Sequence, residues 1–353
     1  MRVKLKDVCE KATSKLKQSD ILSLGGKYPV FGASGYLGNM DSYHQDKPYI
    51  AVVKDGAGIG RTTILPPKSS VIGTMQYLIP KENVMPEYLY YVVKHMRLQK
   101  YYTGATIPHI YFKDYQNEEF NLADPIRQRE IVKVLENVED TIRYQEIEIN
   151  KFDELIKARF IEMFGDPVSN SKHLPLKTLP QLGTFGRGVS KYRPRNAPEL
   201  LNGPYPLVQT GDIANSELYI KNYNSTYSEV GLKQSKMWDK GTLCITIAAN
   251  IAKTAILQFD ACFPDSVVGF NGNNFTNNIF VHYWFSFFQE ILENQAPESA
   301  QKNINLKILS ELQIITPDII EQNKFVDFVQ QVDKSRFDIK KSITELEREV
   351  VYD

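Results

Sequence analysis

The feature that most constrains this chain is that it repeats itself. Residues 3–8 (VKLKDV) match residues 174–179 (LPLKTL), and Tyr28-Pro29-Val30 matches Tyr205-Pro206-Leu207. Residues 59–65 (IGRTTIL) match 251–257 (IAKTAIL), and residues 110–113 (IYFK) match 304–307 (INLK). The order is kept while the offset grows, as it must if the second copy carries insertions. One short match arises by chance; four in one order point to a duplicated unit. At 353 residues the chain has room for two ordinary domains, each with its own core.

Each copy closes on a helix. Asp124-Pro125 and Thr316-Pro317 put a capping side chain ahead of a proline at the first helical position. Apolar residues then recur at alternating intervals of four and three, the seam of a coiled coil. The first seam is Ile131, Leu135, Val138, Ile142, Ile149, Phe152 and Ile156, with Gln145 in its one polar slot. The second is Phe325, Val329, Val332, Ile339, Ile343, Leu346 and Val350, interrupted by Arg336. Each helix alone would expose its stripe. The simplest burial is on each other, antiparallel because a globular domain lies between them; separate packing on their own domains is the alternative. Gly165-Asp166-Pro167 stops the first helix, and the polar residues 168–173 link to the second copy.

Within each half the patterning is mixed. Residues 49–53 and 242–248 read as buried strands, residues 87–99 and 283–293 as helices. The expected fold class is therefore α/β (α+β), with two similar globular domains separated by two long helices that form an antiparallel coiled coil. The boundaries are 1–123 and 166–316 for the globular parts, and 124–165 and 317–353 for the helices.

The net charge of zero averages unlike segments. Residues 1–123 carry 16 Lys and Arg against 11 Asp and Glu, and residues 168–316 carry 13 against 11. The helical stretches reverse the sign, with 7 against 11 in 124–167 and 6 against 9 in 317–353. Basic heads on acidic spacers suit a polyanion-binding protein, although ordinary surface scatter gives values of this size too. Three scattered cysteines suit a reduced cytoplasm and argue against a disulfide framework. The N-terminus lacks a signal-peptide core, and no apolar run is long enough to span a membrane.

No catalytic motif emerges. Gly56-Ala57-Gly58-Ile59-Gly60 follows a strand-like run, but it lacks both the Rossmann spacing and a Walker Lys-Ser/Thr pair. Its counterpart, residues 248–252, has no glycine, so a tight turn fits better than a cofactor loop. The five histidines have no metal-ligand spacing, and no serine-hydrolase, zinc-protease, amino-methyltransferase or nuclease motif is present. The chain is expected to have no catalysis, cofactor or metal of its own.

What remains is a set of residues suited to nucleic acid. Residues 187–195 (RGVSKYRPR) hold Arg187, Lys191, Arg193 and Arg195 around Tyr192, cations for phosphates or guanine edges; a solvated basic loop is the alternative. Lys54 and Arg61 flank the glycine turn, and Lys253 repeats Arg61 in the second copy. His109 and Lys113 share their offset with Asn303 and Lys307, just before the helices, where local capping is an equal reading. Gln209, Asn250 and Gln301 carry amides able to read adenine.

Together these features resemble the specificity (S) subunit of type I restriction–modification systems. The resemblance is carried by residues 28–35 (YPVFGASG), 104–115 (GATIPHIYFKDY), 128–135 (QREIVKVL), 163–167 (MFGDP) and 301–306 (QKNINL), and it covers essentially the whole chain. Two departures affect the DNA target rather than the family: the stretch before Tyr28 is short, and residues 187–195 replace the commoner Thr-Pro-Ser pattern. The resemblance implies two target-recognition domains in inverted orientation, each reading half of a split, asymmetric site in double-stranded DNA. It also implies two methyltransferase (M) subunits bringing S-adenosylmethionine, and restriction (R) subunits bringing ATP- and Mg-dependent translocation and cleavage. Ile131 to Ile156 spans roughly 38 Å of helix at ~1.5 Å per residue, near one turn of DNA, which agrees with a split site. Related methyltransferase systems without a nuclease, an unaided nucleic-acid enzyme and a protein-only coiled-coil adaptor are the competing readings.

Overall fold

The computed structural model describes residues 1–21, 25–104, 107–248, 251–295 and 304–352. The chain divides into two compact units, Met1–Gln145 with Ser342–Asp353, and Glu146–Lys341.

In the first unit, four antiparallel strands lie in the order Cys9–Thr13, Met75–Pro80, Tyr49–Val53, Thr62–Leu65. The central strand is buried along its whole length because both faces are covered. Ile50 and Val52 meet the helix Pro86–His95 through Tyr88 and Leu89, while Tyr49, Ala51 and Val53 pack with Tyr77 and Val71 on the other side. A smaller sheet pairs Tyr28–Gly32 antiparallel with Gly35–Met40 and parallel with Ser70–Val71. Arg2–Lys4 pairs with Glu119–Asn121, tying the start of the domain to the residues that lead into the long helix.

The second unit repeats this plan. Its main sheet runs Gly183–Arg187, Val267–Gly272, Leu243–Thr246, Thr254–Leu257, with Tyr219–Ile220 added parallel at the edge. Leu201–Leu207 pairs antiparallel with Ser225–Tyr227 and parallel with Ala261–Cys262, as in the first smaller sheet. Leu176–Thr178 pairs with Gln313–Ile315. The insertions that stretch the sequence offset are the short helices Thr210–Ala214 and Glu229–Lys233 and the strands Tyr219–Ile220 and Met237–Trp238.

Three of the four sequence matches coincide with equivalent strands or helices, and one is out of register. Lys4 and Leu5 occupy the places of Thr178 and Leu179, the end of the strand and the start of the four-residue helices Leu5–Val8 and Leu179–Leu182. The alignment of VKLKDV with LPLKTL is therefore three residues off. Both segments are short and rich in Leu and Lys, so composition alone could not fix the register.

The long helices are Pro125–Phe164 and Ile319–Tyr352. Asp124 caps the first, its carboxylate accepting from the backbone N–H groups of Ile126 and Arg127. Gly165 ends it at φ +76°, its N–H donating to Ile161 O. The second is capped by Asp318, which accepts from Ile320 N, and not by Thr316, whose hydroxyl donates to Ile314 O. The expected cap was two residues early because Thr-Pro and Pro-Asp both fit a helix start. The expected helix over 87–99 also breaks: it ends at His95, Arg97 turns left-handed at φ 49°, and Leu98–Tyr101 is a 3-10 turn. Residues 168–173, the expected linker, form turns fastened by Asp166 and Asn170.

Within the second unit the helices run antiparallel: Phe160 and Phe164 pack edge-to-face on Phe325, and Arg336 pairs with Asp153. In the first, Gln145 Nε2 donates to Ser342 Oγ. Phe152, Ile156, Phe325, Val329 and Val332 are buried; Ile131, Leu135, Val138, Ile142, Ile149, Ile339, Ile343 and Leu346 are half-buried. The side chain of Val350 lies outside the described residues. The mixed α/β class with long helices and an antiparallel pairing is the architecture the periodicity predicted.

Candidate nucleic-acid interface

The two main sheets end in comparable loops. In the first unit, Val53 exchanges backbone hydrogen bonds with Gly60 N–H and Arg61 O around the turn 54–60. Gly60 is left-handed at φ +79°, and a Cβ there would lie 2.6 Å from Gln99 N, so only glycine fits. The equivalent pair in the second unit is Thr246 with Ala252 and Lys253. Ala252 holds the left-handed conformation, φ +58°, without a glycine. The closing hydrogen bonds thus survive the loss of the glycines, with a backbone cost at Ala252 of roughly 1 kcal/mol.

A second loop comes beside that turn in the first unit. Gly56 N–H donates to Pro108 O, Ile110 N–H donates to Lys54 O, and Thr103 and His109 exchange backbone bonds. His109 Nδ1 lies 2.7 Å from Asp55 Oδ1, and Lys54 Nζ lies 3.9 Å from the other carboxylate oxygen. His109 stacks near Tyr111, with Lys113 over the same ring at 5.4 Å. Arg61 reaches across to donate to Ala33 O, tying the turn to the small-sheet hairpin. Lys54, Arg61, His109 and Lys113 are therefore gathered by three loops at one end of the sheet.

In the second unit, Arg187 ends its strand opposite Val268 and is exposed. Gln234 Oε1 accepts from both Lys191 N and Tyr192 N, shaping the loop that follows. Arg193 and Arg195 converge on Asp265 at 3.6 and 2.5 Å, so part of their charge is already matched. Tyr192 donates to Glu199, which pushes the phenol up; the carboxyl is held below its ordinary range by its own backbone N–H and, after that, by Tyr192. Arg187 and Lys191 remain solvent-facing cations. Lys253 instead lines a cavity of about 270 Å³ with Asp153, Glu217, His282 and Arg336. Gln209 donates to Ser225 Oγ, while its N–H is capped by Asp212. Asn250, Gln301 and Asn303 lie outside the described residues.

Two groups escaped the sequence reading. Lys15 and Lys17 leave the strand Cys9–Thr13 at the sheet edge that corresponds to the Arg187 exit, and both are exposed. Ser14-Lys15-Leu16-Lys17 parallels Ser190-Lys191-Tyr192-Arg193, and both serines are buried. The second group is Gln128 and Gln322, buried amides in the first turns of the two long helices. Among the described residues no group of three His, Cys, Asp or Glu is placed to hold a metal, and no helix is long and apolar enough to cross a membrane. All three cysteines are free and buried, and burial pushes the Cys9 thiol up to about 12.

The family described as the type I restriction modification DNA specificity domain matches residues 1–152 and again 178–348. The S subunit of the type I restriction–modification system from M. genitalium has the same fold at TM-score 0.59 and 14% identity, over 99% of this chain and 93% of that one. A chain from a structure concerned with complex assembly and conformational transition of the type I R-M system gives 0.66 and 15%, over 99% and 95%. The HsdS subunit from Thermoanaerobacter tengcongensis gives 0.50 and 15%, over 99% and 94%.

Proposed function

The chain belongs to the type I restriction modification DNA specificity family, and from that premise we propose that each of its two domains reads one half of a bipartite, asymmetric site in double-stranded DNA. The observation that carries this reading is the pair of equivalent sheet ends, one gathering the exposed Lys15, Lys17 and Arg61 beside the half-buried Lys54, the other the exposed Arg187 and Lys191. Exposed cations supply the sequence-independent part of DNA affinity, and loops of unlike sequence around them supply the specific part. Because the loops differ between the copies, the half-sites differ.

In this reading the chain is a non-catalytic subunit acting in the cytoplasm. Two M subunits would dock on it and bring S-adenosylmethionine; R subunits would bring ATP- and Mg-dependent cleavage. The long helices would set the spacing of the half-sites. Expression with the partner methyltransferase, followed by methylome sequencing, tests the proposal: methylation is expected at one bipartite sequence. Exchanging residues 1–123 for the equivalent part of another such subunit should change one half of that sequence only. An unchanged pattern after the exchange, or methylation without a defined sequence, overturns it.

A further inference from the structure

The first unit holds one polar side chain whose arrangement differs from that of the lysines and arginines around it. His109 is fixed from several sides. Its backbone pairs with Thr103 in both directions, and its neighbours are tied by Pro108 O to Gly56 and by Ile110 N to Lys54. Its ring is held by Asp55 at 2.7 Å, lies parallel to Tyr111 within 19°, and passes Gly104 so closely that a Cβ there would sit 3.3 Å from Cδ2. Yet the side chain remains 36% exposed. An exposed group with so little freedom is suited to reading a pattern, because little entropy is lost when it binds. A lysine on its flexible stem is suited to finding a phosphate.

The chemistry of the exposed edge follows from Asp55. An ionised carboxylate can only accept, so Nδ1 carries the proton, and in the neutral form of the ring Nε2 is left as a lone-pair acceptor. Among the described residues the ring's one hydrogen bond is that of Nδ1 with Asp55. In the major groove the groups that donate to such an acceptor are the exocyclic amines, N6 of adenine and N4 of cytosine. In the sequence of the second copy the position of Asp55 is taken by Ala248 and that of His109 by Asn303.

We propose that His109, oriented by Asp55, is a base-reading residue of the first domain that accepts a hydrogen bond from an adenine or cytosine amine. The inference rests on the chain's reading as a DNA specificity subunit, and assigns one position of one half-site to one side chain. Asp55 acts through the imidazole and is a positioning residue.

The test uses the assembled complex with its methyltransferase, comparing methylomes for the wild type, His109→Ala, His109→Leu and Asp55→Ala. His109→Ala is expected to relax one position of one half-site, with the preference there falling roughly 5- to 100-fold, the worth of a specific base contact. The other half-site should be unchanged. Asp55→Ala should relax the same position, more weakly. His109→Leu keeps the bulk of the ring, so a loop collapse in His109→Ala would not mask the outcome: it should relax that same position. An unchanged motif in both His109 variants overturns the proposal, as does a uniform loss of methylation at every site, which would mark a phosphate contact or a purely structural role. Failure of the wild-type complex to methylate any defined sequence would instead overturn the DNA-specificity reading beneath it.

Discussion

Gln128 and Gln322 do the same task in the two copies. Gln128 Oε1 accepts from Met85 N, ahead of the helix Pro86–His95, and its Nε2 donates to Asn83 O and Ala123 O. Gln322 Oε1 accepts from Asn277 N and Thr276 Oγ1, ahead of the helix Asn278–Gln295, and its Nε2 donates to Phe275 O and Pro317 O. Both amides are buried, so each clamps the first turn of a long helix to its own domain with no water to replace it. Gln128→Ala or Gln322→Ala strands three or four backbone and hydroxyl groups and should cost about 2–4 kcal/mol, read from the urea midpoint. An exposed polar position on the same helix, such as Lys133, should change by less than about 0.5 kcal/mol when made alanine. Gln128 heads one of the blocks that carry the resemblance, but the clamp was not legible in either glutamine, since a polar residue one turn into an amphipathic helix looks like surface. Only partners about 45 residues upstream give it meaning. His282 is a second residue of this kind. Burial lowers its imidazole to about 4, against smaller opposing effects of Thr254 and Asp153. The unfolded chain therefore binds a proton near pH 6.5 that the folded chain refuses until about 4, and stability falls as the pH drops through that window. His282→Gln should flatten the fall, compared by urea midpoints at pH 7 and pH 5.

At the scale of the element, the heptads were legible because their period is a property of sequence alone. The polar breaks in them were not. Arg336 reads as a flaw in the second seam, but its side chain is only 7% exposed, stacks near Phe152, and pairs with Asp153 at 2.5 Å and Glu217 at 3.3 Å. Glu217 comes from the insertion that the second copy carries between Thr210–Ala214 and Tyr219–Ile220, and also meets Lys340 at 2.8 Å. A buried cation with carboxylate partners tolerates removal of the whole group better than removal of its partners. Asp153→Asn with Glu217→Gln should thus destabilise by about 3 kcal/mol, whereas Arg336→Met should fall within about 1 kcal/mol of the wild type in the same denaturation. Equal losses in both would refute this account of the seam. The helix breaks at Arg97 and the cap at Asp318 belong to the same scale. Apolar periodicity continues past both points, and the chain's real turning is decided by what each end packs against.

For the whole molecule, the duplication was the most legible feature, and it survives in sheet order, strand register and the paired glutamine clamps. The site was less so. Charged loop residues announce an anion but not their own pairing: Arg193 and Arg195 share Asp265, and Lys253 faces an acidic cavity, while the plainer Lys15 and Lys17 are exposed at the strand exit with no ion pair among the described residues. Such a division has a measurable consequence on DNA. Each solvent-facing cation that meets a phosphate releases counterions and contributes about 0.9 to the slope of log K against log salt. Cations already matched by carboxylates release fewer. Lys15→Ala with Lys17→Ala, and separately Arg187→Ala with Lys191→Ala, should each lower the slope by up to about 2, equally on cognate and unrelated duplexes. Their effects should add, because they sit in different units. Arg195→Ala should change the slope less than either pair, since Asp265 already neutralises it. None of these changes should alter the methylated sequence, which is the property expected of the fixed imidazole of His109. A slope that responds to Arg195 as strongly as to Lys15 and Lys17 together would mean that the Asp265 pairs open on DNA, and that the two basic loops work differently in the two copies.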